Sequence, residues 1–75
     1  MMVKNFDEFK TEILSRAERR PPGWRLGQAV FNYMYDMYPE CARIVQSIPG
    51  ADCFYKDDNV DYFIKECWRQ YNSIS

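Results

Sequence analysis

No histidine occurs in this chain of 75 residues. That absence removes the commonest general base and the commonest metal ligand together. A Ser-His-Asp or Cys-His pair cannot form within one copy. The three cysteines include no CxxC pair and have no histidine to complete a set of four zinc ligands. Glycine is scarce: Gly23, Gly27 and Gly50 stand apart and form no phosphate-cradling loop. No apolar run approaches the roughly 18 residues that span a bilayer, and residues 1–5 show no apolar segment of a signal peptide. An excess of one charge is missing too. Ten Lys and Arg against eleven Asp and Glu leave a net charge of -1, which excludes a generally basic nucleic-acid binder and a heavily acidic DNA mimic.

The cysteines are Cys41, Cys53 and Cys67, an odd set that cannot pair fully within one chain. A short secreted domain usually carries an even disulfide framework. A reducing cytoplasm is therefore expected, with all three thiols free and without metal. Cys41 is the one candidate nucleophile, in the first turn after Pro39. Its spacing to Ile44, Val45 and Ile48 places it on an apolar stripe instead, where free cysteine behaves as a small hydrophobe. The acidic residues Asp52, Asp57, Asp58 and Asp61 lack the alternating ligands and turn glycine of a calcium loop. Helix capping explains Asp57, Asp58 and Asp61 more simply. The expectation is no enzyme, no cofactor and no membrane partner.

Apolar and aromatic residues are plentiful. They make up 47% of the chain and include six Tyr, five Phe and two Trp, enough for a packed core and too many for disorder. One small domain over 1–75 is expected, all-α, a compact bundle of about four short helices. Asn5 and Glu8 have the spacing of a capping box, and Phe6, Phe9, Ile13 and Ala17 follow on one helical face. Pro21-Pro22-Gly23 stops that helix. A second, central helix from about Trp24 or Arg25 to Tyr38 carries Leu26, Val30, Tyr33 and Met37, widened by Phe31, Met34 and Tyr38. Pro39 opens a third helix bearing Cys41, Ile44, Val45 and Ile48. Residues 51–58 form a loop whose Phe54 and Tyr55 are expected to plug the core. The last helix carries Val60, Phe63, Ile64, Cys67 and Tyr71, frayed after about residue 72.

Two polar groupings invite a function. Arg16, Arg19, Arg20 and Arg25 fall within ten residues around Trp24. They fit a solvated helix end, a partner-protein hot spot, or phosphate and base contacts. Arg25, Gln28 and Asn32 align on one stripe of the central helix. Base reading is one use of such a stripe; a structural clamp on the 50–58 loop through Asp52 is the other. Gly27 beside them implies close approach of a second backbone. Six tyrosines cannot all be buried in so small a core, so some must present amphipathic surface. Arg16, Arg19, Arg20, Trp24, Tyr35 and Tyr38 are the residues expected to contact a partner; Arg25, Gly27, Gln28, Asn32 and Asp52 are expected to form the clamp.

The run Arg25-Leu26-Gly27-Gln28-Ala29-Val30-Phe31-Asn32, then Tyr38-Pro39, then Asp52-Cys53-Phe54-Tyr55-Lys56-Asp57 resembles a group of small bacterial and phage proteins. Their pattern is R-x-G-Q-x-x-F-N, a proline junction, D-(P/C)-F-Y-x-D and a closing amphipathic helix, matched here from about Arg25 to Trp68. The resemblance implies a phage or mobile-element origin and no particular activity. The reading that results is a phage- or prophage-encoded interaction protein that binds and inhibits a host protein. The alternatives are a small nucleic-acid-binding accessory protein using Arg16–Arg25, and a homodimer formed through tyrosines.

Overall fold

The first helix begins where a local hydrogen-bond exchange allows it to. In the computed structural model, which describes residues 5–74, Asn5 Oδ1 accepts from the Glu8 N–H at 2.8 Å and Glu8 Oε1 accepts from the Asn5 N–H at 3.1 Å. Two of the N–H groups that a helix start leaves without partners are thereby satisfied. The signal-peptide reading rests mainly on residues 1–4, which lie outside those described. Helix α1 runs Phe6–Glu18 and buries Phe9, Ile13 and Ala17 completely. Phe6 is only half-buried, against the ring of Trp68.

Past Glu18 the chain turns through the two prolines and Gly23, whose φ of 95° suits glycine. Arg20 ties this turn together. Its Nε donates to the Trp24 carbonyl at 2.8 Å and its Nη1 to the Ala17 carbonyl at 3.0 Å. Helix α2 follows over Leu26–Met37, one residue shorter at its carboxyl end than its apolar pattern suggests. Its buried positions are Gly27, Ala29, Val30 and Met34, while Leu26, Tyr33 and Met37 are half-buried. Tyr38 sits at the corner, and Pro39 opens α3, Pro39–Gln46, with no intervening loop. Proline suits that first helical position because its missing N–H has no intrahelical acceptor there. Cys41, Ala42 and Val45 face inward. Ile44, expected on the buried stripe, is exposed: Ala42 takes the inner face as the helix turns.

Residues 47–56 cross to a single 3-10 turn, Asp57–Asn59, that leads into α4, Val60–Ile74. The expected fraying after residue 72 falls partly on Ser75, outside the described residues; the helix itself is continuous to Ile74. Val60, Phe63, Ile64 and Cys67 complete the core. Each buried Phe, Ile or Met contributes about 1.5–3 kcal/mol relative to exposure, so this single cluster, drawn from all four helices and the loop, accounts for the bundle. Consecutive helices pack on one another, and α4 returns to touch α1 and α2. The protein is an all-α bundle of four helices, with no strand among the described residues. No helix among them is long and apolar enough to cross a membrane.

Candidate interaction surface

Helix α2 starts on Arg25, a residue with donors and no acceptor. It cannot cap its own helix as Asn5 does. Gln28 supplies half of a capping box, its Oε1 accepting from the Arg25 N–H at 3.4 Å. The missing acceptor comes from the 3-10 turn: the Gly27 N–H donates to Asp57 Oδ1 at 2.8 Å. The same loop is held twice more, by Arg25 Nη2 donating to the Phe54 carbonyl at 2.8 Å and by the Cys53 thiol donating to the Gly27 carbonyl at 3.3 Å. Such an approach requires glycine. A Cβ on residue 27 would overlap the Cys53 carbonyl oxygen and lie 2.9 Å from the Asp57 carboxylate.

The clamp therefore differs from the expected one in membership. Arg25 and Gly27 reach the loop. Gln28 turns back to the start of its own helix, and Asn32 makes no hydrogen bond to the loop. Asp52 works inside the loop, accepting from the Phe54 N–H at 2.8 Å, while its carbonyl accepts from Asn59 Nδ2 at 3.0 Å. Asp57 replaces it as the residue that meets α2.

Pinned in this way, the loop buries Cys53 and turns the next residues outward. Cys53, and not the two rings, is the plug. Phe54 is half-buried and Tyr55 is 78% exposed. Their rings touch at 4.8 Å between centroids, and Phe54 meets Phe31 of α2 edge-on at 5.6 Å. Phe31 stacks on the buried Phe63 at 5.5 Å and reaches Tyr35, 40% exposed, at 5.9 Å. The Arg25 guanidinium stands 5.9 Å from the Tyr55 ring, within cation–π range. A continuous run of rings thus crosses the surface from Tyr35 through Phe31 and Phe54 to Tyr55, closed by an arginine. Two adjacent aromatics in a short polar loop were the sequence signal for it, because neighbours on a pinned backbone cannot both point into one core.

The other expected partner residues are largely engaged internally. The Tyr38 hydroxyl donates to Glu12 Oε1 at 2.5 Å, and its ring packs 4.9 Å from Phe9 and 5.4 Å from Tyr71. Burial, reinforced by the Glu12 carboxylate, raises its pKa far above the ordinary tyrosine value and makes it a weaker acid. Arg20 is fixed to backbone carbonyls. Arg16 lies 5.3 Å over Tyr33 and 3.9 Å from Asp36, and Trp24 packs on the same Tyr33 ring at 6.0 Å. Arg19 alone of that cluster is exposed without such contacts.

Cys41, Cys53 and Cys67 are free and buried. Burial raises all three thiols, Cys53 to about 12, with Asp52 adding to the effect there. Thiols held protonated in this way are poor nucleophiles. No group of three or more Cys, Asp or Glu among the described residues could hold a metal ion. A shallow acidic depression on α1, lined by Asp7, Glu8, Thr11 and Glu12, lies on the side of one helix. Comparison with protein families, curated proteins and solved structures gave no match.

Proposed function

We propose that this chain is a non-enzymatic interaction protein that binds a protein partner through the Tyr35–Phe31–Phe54–Tyr55 face. One observation carries the reading. The most exposed aromatic ring on the protein is displayed by a loop fixed to α2 through three hydrogen bonds. A ring immobilised before contact loses little further conformational freedom on binding, and Tyr beside Arg is the composition of interface hot spots. The narrower reading, a phage- or prophage-encoded inhibitor of a host protein, rests on the resemblance of the segment from Arg25 to Trp68.

Affinity purification from host lysate with three baits tests this. Wild-type protein and the Arg16→Ala, Arg19→Ala, Arg20→Ala triple variant are expected to retain the same protein, and Tyr55→Ala to lose it. Capture that survives Tyr55→Ala and fails with the triple variant would overturn the assignment. If what is captured is DNA or RNA, with affinity falling steeply as salt rises, the nucleic-acid reading replaces it.

A further inference from the structure

We draw no further inference here: the strongest candidate, the surface patch of rings running from Tyr35 through Phe31 and Phe54 to Tyr55, belongs to the interaction site already described, and nothing in the structure shows what covers it.

Discussion

The carboxylate of Asp57 caps the central helix at Gly27, thirty residues earlier in the chain. It accepts from the Gly27 N–H at 2.8 Å, the bond an N-cap Asp or Ser makes within its own helix. The negative charge also sits at the positive end of the α2 dipole. With the Arg25–Phe54 and Cys53–Gly27 bonds, this contact joins the display loop to the central helix.

Asp57→Ala is accordingly expected to cost about 1–2 kcal/mol, read as a lower urea midpoint. The Gly27 amide should exchange faster with solvent in the same variant. Asp57→Asn, which keeps an acceptor oxygen, should lose less. An Asp57→Ala protein as stable as wild type would remove the cap from the account.

Gly27→Ala tests the close approach. In an ordinary helix interior that change gains about 1 kcal/mol. Here the added methyl overlaps the Cys53 carbonyl, and overpacking should dominate, for a net loss of about 2 kcal/mol or more. Thermal denaturation that shows a gain instead would mean the loop moves aside freely.

Stability should fall on the alkaline side. Cys53, Cys67, Cys41 and Tyr38 all hold their protons more tightly in the folded protein, chiefly through burial. The unfolded chain releases thiol protons from about pH 8.5 and phenol protons from about pH 10, so above those values it binds fewer protons than the folded chain. The contribution is thus fully present below about pH 8.5 and lost as pH rises towards the folded values. Urea midpoints at pH 7, 9 and 10 should decline in that order, and Cys67→Ala should flatten the slope. A midpoint unchanged from pH 7 to 10 would contradict it.

Tyr38→Phe removes one hydroxyl and keeps the ring against Phe9 and Tyr71. Because the acceptor, Glu12, is a carboxylate, the loss should be about 1.5–3 kcal/mol. Glu12→Gln in a double-mutant cycle should show coupling between the two positions. Additive losses would indicate that the hydroxyl stabilises the fold by another route.

The arginines of the α1–α2 turn should separate by role. Arg20→Ala leaves the Trp24 carbonyl without its donor and the Ala17 carbonyl with backbone donors alone, and should cost about 1–2 kcal/mol. Arg19→Ala should stay within about 0.5 kcal/mol of wild type, and Arg16→Ala within about 1 kcal/mol because its ion pair and ring contact are solvated. Equal losses for Arg19→Ala and Arg20→Ala in chemical denaturation would refute this division.

The four helices were legible in the sequence because a helix is local. Its hydrogen bonds span four residues, its buried face recurs every three or four, and the Asn5–Glu8 cap lies within one turn. The interiors of α1 and α4 were likewise readable as periodic stripes, and the close approach at Gly27 from the one glycine inside an apolar helix. Other features depended on contacts between distant segments. Which of three aspartates would meet α2, whether Gln28 and Asn32 would face the loop, and which of Cys53, Phe54 and Tyr55 would point inward have no local rule. Tyr38 and Arg20 were read as surface for the same reason: their polar groups meet Glu12 and backbone carbonyls only after α1, α2 and the turn have packed. Apolar periodicity by itself determined the elements and the core they share. The tertiary structure alone decided which aromatic rings the finished core left outside, because a loop without a hydrogen-bond period takes its orientation from the few groups that pin it.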